Sequence, residues 1–203
     1  MNTVSVLFAG VGGQGIVLAS KILAKVAFDS GYMVKESELH GMAQRGGSVV
    51  SHVRYGKDVH SPLIPFGKAD ILVSLEELEG LRYIHFLKKD GTIIFNENIS
   101  VPSTVRPDTG LKYPENISET LKNMGCILMT INAKEVAKDI GNLKVENLVV
   151  LGILSTKIDL PVETWKETIS KSVPQKTLEV NLSAFLKGRE MASQANRRNN
   201  VLE

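Results

Sequence analysis

The chain has 203 residues, of which 43% are hydrophobic and 23% are charged, and its formal net charge is +2. This balance is typical of a globular protein, and so small a net charge indicates neither nucleic acid nor a membrane surface as a partner. With one cysteine, Cys126, the chain lacks the thiols for an internal disulfide, a cysteine-ligated iron–sulfur cluster or a cysteine-bound structural zinc.

The N-terminal segment has no charged region followed by a long apolar run, and no stretch reaches the ~18 apolar residues of a transmembrane helix. We therefore expect a cytoplasmic protein. We also expect one α/β domain over residues 1–191, with a flexible polar tail at 192–203.

The first two thirds of the chain alternate apolar runs with helical periodicity. Thr3 to Phe8 predicts a buried strand, a glycine turn follows, and the apolar residues from Ile16 to Ala27 recur at helical spacing. Further strands are predicted at 32–38, 48–55, 71–75, 92–96 and 126–131, and helices at 76–87 and 117–124. The alternation favours a three-layer fold around a mostly parallel, Rossmann-like sheet.

From Ala133 the pattern becomes helical. The predicted helices lie at 133–140, 145–156, 162–173 and 174–191. We expect this C-terminal segment, residues 133–191, to pack on the sheet or on a partner chain, with Trp165 in the core.

A glycine-rich turn follows the first strand and opens the first helix. Its spacing matches the dinucleotide fingerprint, in which glycines permit the tight turn and the N–H groups at the start of the helix face an anion. Glu36 and Glu38 lie about where the ribose-binding acid of such a site is found. The candidate cofactor-binding residues here are Gly10, Gly12, Gly13, Gln14 and Gly15.

Two other interpretations of the turn remain open. In one, the glycines serve only close packing of the backbone, without a ligand. In the other, a partner chain completes the site, because the Gln14 amide stands at the helix entrance where it can contact a ligand or another subunit.

The connection between the second and third strands is dense in hydrogen-bond donors. We take His40, Gln44 and Arg45 as candidate catalytic residues and Gly46 and Gly47 as further candidate cofactor-binding residues. The two glycines can expose N–H groups at positive φ, and the Arg45 guanidinium suits a carboxylate or phosphate. We expect Arg45 to bind an anionic group at a seam between subunits; the alternative is a solvated surface loop.

Other polar residues point to no separate site. The four histidines show no metal-ligand spacing, so no metal site is predicted, and His52 is expected to be a hydrogen-bonded structural residue. Cys126 lies in an apolar run and is expected to be a buried core residue. The acidic residues at 76, 77 and 79 are expected to form the solvated first turn of a helix.

Taken together, the segments 10–15 (GVGGQG) and 40–49 (HGMAQRGGSV) resemble the gamma-type subunit of 2-oxoacid:ferredoxin oxidoreductases. Further segments are similar to the indolepyruvate branch of that family, whose small subunit is called beta; they lie at 60–65, 69–72, 78–82, 147–152, 173–176 and 181–185. The resemblance covers about residues 4–190.

The resemblance implies a small subunit that is inactive alone and completes a heteromeric enzyme. Its large partner subunit would hold thiamine diphosphate and iron–sulfur clusters, use CoA as co-substrate, and pass electrons from the decarboxylated 2-oxoacid to ferredoxin. This chain would then bind no cofactor firmly by itself. The glycine-rich loops would face the partner's cofactor domains or the CoA path.

Three alternatives remain. The first is a gamma subunit specific for pyruvate, 2-oxoglutarate or 2-oxoisovalerate. The second is a free-standing NAD(P)- or flavin-binding dehydrogenase, which residues 133–190 disfavour because they hold no recognisable proton-transfer arrangement. The third is a non-catalytic nucleotide-binding regulator.

Overall fold

A computed structural model describes residues 3–40, 46–101, 110 and 112–199 of the chain. Its core is one six-stranded sheet. The strands are β1 (Val4–Val11), β2 (Met33–His40), β3 (Ser48–Gly56), β4 (Ala69–Ser74), β5 (Leu87–Asn96) and β6 (Ile127–Ile131).

The strands lie in the order β2-β3-β1-β4-β5-β6. β1, β4, β5 and β6 pair in parallel, whereas β3 runs antiparallel to both β1 and β2. β2 therefore points the same way as β1, and β3 is the one reversed strand of this sheet. The predicted mostly parallel α/β architecture is confirmed.

Seven α-helices accompany the sheet in the described residues. They are α1 (Ile16–Asp29), α2 (Glu77–Tyr83), α3 (Ile117–Asn123), α4 (Ala133–Ile140), α5 (Glu146–Leu154), α6 (Val162–Ser172) and α7 (Leu178–Asn199). No helix in this described part of the chain is long and apolar enough to cross a membrane.

The two faces of the sheet carry separate hydrophobic cores. On the face that we call the helical face, side chains of β1, β3 and β4 pack against α1, α4, α5, α6 and α7. On the opposite face the core is smaller and includes α3 and the partly buried apolar residues of α2. This arrangement of helix, sheet and helix forms the predicted three layers.

Helices α5 and α7 approach each other at two glycines. A Cβ on Gly152 would overlap the carbonyl oxygen of Phe185, and one on Gly188 would overlap that of Val149. α5 is apolar around its circumference and is buried from Asn147 to Leu154, as expected of a helix enclosed by other elements. The glycines allow α7 to cover it at backbone contact.

The structure also corrects several predicted boundaries. α2 ends at Tyr83, a short 3-10 turn spans Ile84–Phe86, and β5 already begins at Leu87. Residues 88–91, which separate the predicted helix from the predicted strand at 92–96, lie inside β5, where Asp90 takes a φ of 60° and the register to β4 shifts. α7 continues to Asn199, into the stretch for which the sequence predicts a flexible tail.

Candidate functional site

The candidate site lies at the carboxyl edge of the parallel strands, between β1 and β4. The chain leaves β1 through the glycine turn into α1 on the helical face, and leaves β4 towards α2 on the opposite face. The crevice at such a topological switch point is where open α/β sheets bind ligands. A hydrogen bond from Leu75 N to Ala9 O, 2.9 Å, joins the two exits.

The Gln14 side chain holds the glycine turn in shape. Its Oε1 accepts the N–H of Val11 at 2.7 Å, and its Nε2 donates to the carbonyl of Leu75 at 3.2 Å. A Cβ on Gly10 would lie 2.7 Å from Gln14 Oε1, so the amide fits only over a glycine. The Gln14 amide, expected at the helix entrance, thus makes hydrogen bonds within this chain to the ends of β1 and β4.

The two glycine-rich segments meet in one surface. Gly12 N donates to Gly47 O at 2.9 Å, which fixes the turn after β1 to the start of β3. Gly13 and Gly46, with φ of 104° and 71°, are both exposed and have open space where a Cβ would stand. We call these two segments, residues 10–15 and 46–47, the glycine junction.

Sequence reasoning missed a network of carboxylates beside this junction. Glu76 and Glu79 are buried, 1% and 3% exposed, so the prediction of a solvated helical turn is wrong for both. Glu79 accepts the Ser48 hydroxyl and pairs with Arg82 Nε at 3.2 Å. Burial raises the pKa of Glu79, and Ser48 and Arg82 oppose that rise by stabilising the charged form.

Glu76 is the centre of the network. Its Oε2 accepts Glu79 N at 2.9 Å, which caps α2, and its Oε1 accepts Ser100 N at 3.1 Å and the Tyr113 hydroxyl at 2.6 Å. Burial and the hydrogen bond to Glu76 both raise the pKa of Tyr113, which favours the protonated phenol that donates this hydrogen bond. The S/T/D/N capping rule does not include Glu, which is why no sequence signal marked this residue.

A cleft of about 390 Å³ opens on the other side of the glycine turn, towards the start of α5. Asn147 Nδ2 donates to Gly15 O at 3.2 Å, and a Cβ on Gly15 would overlap that amide. Glu146 also lines the cleft and accepts Asn98 Nδ2 at 3.3 Å; its pKa is raised, chiefly by burial. A carboxyl group and a close-packed amide therefore occupy the space next to the α1 N-terminus.

The acids predicted to bind a ribose are in the wrong place for that role. β3 lies between β1 and β2, so Glu36 and Glu38 are two strands away from the glycine turn instead of one. Both carboxylates face α1, where Glu36 accepts the Ser20 hydroxyl at 2.8 Å and Glu38 pairs with Lys21 at 3.2 Å. Because β3 lies between β1 and β2, neither acid stands beside the glycine turn where the ribose-binding acid of the dinucleotide fingerprint is found.

The remaining candidates divide by what the structure describes. Gln44 and Arg45 lie outside the described residues, and His40 is described only as the backbone end of β2. His52 is buried and its Nδ1 accepts Ile64 N at 3.2 Å, which confirms the expected structural role. Cys126 is half-buried, and its Sγ donates to Leu121 O. Among the described residues no group of three or more His, Cys, Asp and Glu side chains could hold a metal ion.

Comparison with known proteins gives a consistent result. A family model described as pyruvate ferredoxin/flavodoxin oxidoreductase matches residues 5–191. The chain is 39% identical over 200 residues to the indolepyruvate oxidoreductase subunit IorB of Thermococcus kodakarensis, and the match covers 96% of this chain and 98% of that protein.

Two solved structures share the fold. The gamma subunit of a keto/oxoacid ferredoxin oxidoreductase from Geobacter sulfurreducens superimposes with a TM-score of 0.71 at 25% identity, covering 94% of this chain and 99% of the other. The 2-oxoglutarate:ferredoxin oxidoreductase from Magnetococcus marinus superimposes with a TM-score of 0.75 at 21% identity. That match covers 96% of this chain but 32% of the other, so there the same fold is one part of a longer chain.

Proposed function

Because the chain belongs to the pyruvate ferredoxin/flavodoxin oxidoreductase family, we propose that it is the small subunit of an indolepyruvate:ferredoxin oxidoreductase of the cytoplasm. The complete enzyme converts aryl 2-oxoacids and CoA to acyl-CoA and passes the electrons to ferredoxin. The observation that carries this proposal is the near-complete match, at 39% identity, to a relative named as a subunit of indolepyruvate oxidoreductase.

The distribution of cofactors is the one that the family resemblance implies, and this chain's residues agree with it. One cysteine cannot ligate an iron–sulfur cluster, and Cys126 is already hydrogen-bonded to Leu121 O. In the proposed enzyme the large partner subunit holds the clusters, which carry electrons, and thiamine diphosphate, which stabilises the decarboxylated intermediate. The small subunit contributes binding surface, so it is inactive alone.

The glycine junction is the part of this surface that meets the reacting system. The N–H groups of Val11 and Gly12 are satisfied within the chain, whereas Gly13 and Gly46 are exposed at positive φ on either side of the Gly12–Gly47 hydrogen bond. Together with Arg45, these two glycines are our candidates for contact with an anionic group of the partner or of CoA.

A free-standing dehydrogenase fits this geometry less well. The ribose acids are displaced by β3, and the Glu146 carboxyl and the Asn147 amide stand beside the glycine turn where a pyrophosphate would bind. A small subunit for another 2-oxoacid is the second candidate, because the 2-oxoglutarate synthase subunit KorC of Methanothermobacter marburgensis is also 30% identical to this chain over 187 residues.

Reconstitution tests the proposal. The purified chain should be colourless and should not reduce a viologen dye with indolepyruvate and CoA, whereas addition of the large subunit should give dye reduction. Indolepyruvate should be turned over with a higher kcat/KM than pyruvate, 2-oxoglutarate or 2-oxoisovalerate. A brown, active preparation of this chain alone would refute the proposal, and a preference for another of the four acids would replace indolepyruvate.

A further inference from the structure

We propose that an exposed cluster of aromatic and apolar side chains on the face opposite the helical face is the surface that docks the large subunit. The inference rests on the proposed function, because that function requires a large partner. We call the cluster the aromatic face; it consists of Leu39, Leu63, Phe66, Tyr83, His85 and Phe86.

The aromatic face has a protruding ring at its centre. Phe66 is 70% exposed, yet its ring lies edge-to-face on His85 at 4.8 Å and on Phe86 at 4.7 Å between centroids. Tyr83 lies 6.1 Å from Phe86, and Leu63 and Leu39 add side chains that are 52% and 50% exposed. Aromatic side chains, including Phe, are enriched at protein interfaces relative to the rest of the protein surface.

This surface is held in place from below. His52 contacts the Phe86 ring edge-on at 5.6 Å and accepts the backbone N–H of Ile64, two residues before Phe66. Arg54 Nη1 donates to the carbonyls of Ser61 and Leu63 at 2.9 and 3.3 Å, which fixes the same loop to β3. A surface that is already ordered loses little conformational entropy on binding.

The aromatic face is continuous with the glycine junction. The Tyr83 hydroxyl lies 3.2 Å from Ser48 Oγ, and Ser48 directly follows Gly47. Leu39 stands opposite Val50 near the end of β2, on the face away from α1. A chain that reached the glycine junction along this side of the sheet would therefore cover the aromatic face as well.

The charged side chains around this surface indicate which charge the partner's surface should have. Lys35 lies opposite Arg54 on the sheet and Lys68 follows Phe66 by two residues; both are exposed, and neither has a carboxylate partner among the described residues. The nearby carboxylates are already paired, Asp70 with Lys88 and Glu79 with Arg82. The complementary surface of the large subunit should therefore offer apolar or aromatic anchors flanked by acidic side chains.

A second copy of this chain is the competing occupant. The groove between α4 and α7 is lined by apolar side chains and by four carboxylates, those of Glu135, Asp139, Glu179 and Glu190, of which Glu190 pairs with Lys187. Apolar and acidic groups are the chemistry that the aromatic face requires. However, the groove and the aromatic face lie on opposite faces of the sheet, so contact between them does not close into a two-fold pair and propagates into rings or filaments. This favours a different chain as the occupant, and the experiment below separates the two.

Phe66→Ala is the decisive substitution, and Phe28→Ala is its matched control. Phe28 is 67% exposed but lies on α1, on the helical face. Titration of the large subunit, labelled with a fluorophore, should show a Kd raised by about 30-fold or more for Phe66→Ala and within about twofold of wild type for Phe28→Ala. Leu39→Ala provides a second, independent position and should weaken binding in the same direction.

Charge reversal tests the rim. Lys68→Glu should slow association with the large subunit by about 3- to 10-fold at low salt and by less at high salt, because rim charges act mainly on the association rate. Lys171→Glu on α6 is the control, with the same change of net charge on the helical face, and should change the rate by less than twofold.

The outcomes separate the two proposals. If the wild-type chain does not bind the large subunit, the proposed function fails. If it binds and Phe66→Ala and Leu39→Ala bind equally well, the function stands and the docking surface is wrong. Concentration-dependent self-association of the wild-type chain in sedimentation, abolished by Phe66→Ala while binding of the large subunit is unchanged, would assign the aromatic face to a second copy and overturn the proposal.

Discussion

The two faces of the sheet differ in what their side chains do. On the helical face, α5 is buried and backbone meets backbone at Gly152 and Gly188, so the interior of this face is closely packed. On the opposite face, short helices cover the strands from β1 to β6, and aromatic rings remain exposed beside β3. The closest helix packing therefore lies on one face, and the proposed docking surface lies on the other.

The largest expected effect is at the α5–α7 contact. Gly188→Ala and Gly152→Ala each place a methyl group into backbone of the facing helix, which cannot move aside as a side chain can. We expect each to lower the free energy of unfolding by about 3 kcal/mol, at the upper end for overpacked cores. Urea denaturation measures this, with Ser183→Ala on the exposed side of α7 as the control. Unchanged stability would mean that the helices separate easily.

A smaller effect is expected where the helical face supports the glycine turn. Gly15→Ala combines a positive φ of 76° with overlap on the Asn147 amide, whereas Gly13→Ala meets only the φ of 104° in open space. We expect losses of about 2–3 and 1–2 kcal/mol respectively. In a double-mutant cycle, Asn147→Ala should recover about 1 kcal/mol in the Gly15→Ala background. If the stability losses of Gly15→Ala and Asn147→Ala simply add, the Asn147 side chain does not restrict the space at Gly15.

His52→Phe tests the support of the aromatic face. It keeps a ring against Phe86 but leaves Ile64 N–H without its acceptor, a loss of about 1–2 kcal/mol at pH 7.5. Burial lowers the pKa of His52 below its usual 6.5, so as pH falls through and below 6.5 the unfolded state takes up a proton that the folded state resists. As the pH falls, the free energy of unfolding of the wild type should therefore decrease through His52, whereas that of His52→Phe should not. The difference in unfolding free energy between the two proteins should narrow. If the difference in unfolding free energy between wild type and variant does not change with pH, His52 is not a neutral acceptor of the Ile64 N–H in the folded state.

The smallest effect is expected at the exposed ring. Phe66→Ala should change the unfolding free energy of the free chain by less than about 0.5 kcal/mol, as is usual for surface substitutions. Thermal and urea unfolding of the isolated chain measure it. If the free energy of unfolding falls by more than about 2 kcal/mol, Phe66 contributes to the core, and the two faces do not differ as described.

Much of the architecture was accessible from the sequence, because runs such as Thr3 to Phe8 and the helical spacing from Ile16 to Ala27 carry the period of their element. The strand order could not be predicted, because no local sequence pattern indicates that β3 lies between β1 and β2. That single placement moves Glu36 and Glu38 away from the glycine turn, although their spacing along the chain fits a ribose site.

The candidate site was predicted in its parts and not in its connections. The two glycine segments were identified, but the Gly12–Gly47 hydrogen bond spans 35 residues and has no local signature. The burial of Glu76 and Glu79 was missed because a helical first turn rich in acids is usually solvated. Here it is covered by residues as distant in sequence as Ser48 and Tyr113.

The hydrogen bonds of Glu76 also bear on how this chain tolerates change in length. One carboxylate accepts both Ser100 N and the Tyr113 hydroxyl, so the two ends of the intervening segment are held at a common point. The entropy of closing a loop grows only with the logarithm of its length, by about 0.6 kcal/mol for each doubling. A change in length between residues 101 and 112 should therefore leave Ser100 and Tyr113 held at Glu76 and should add little to the entropy of closing this segment.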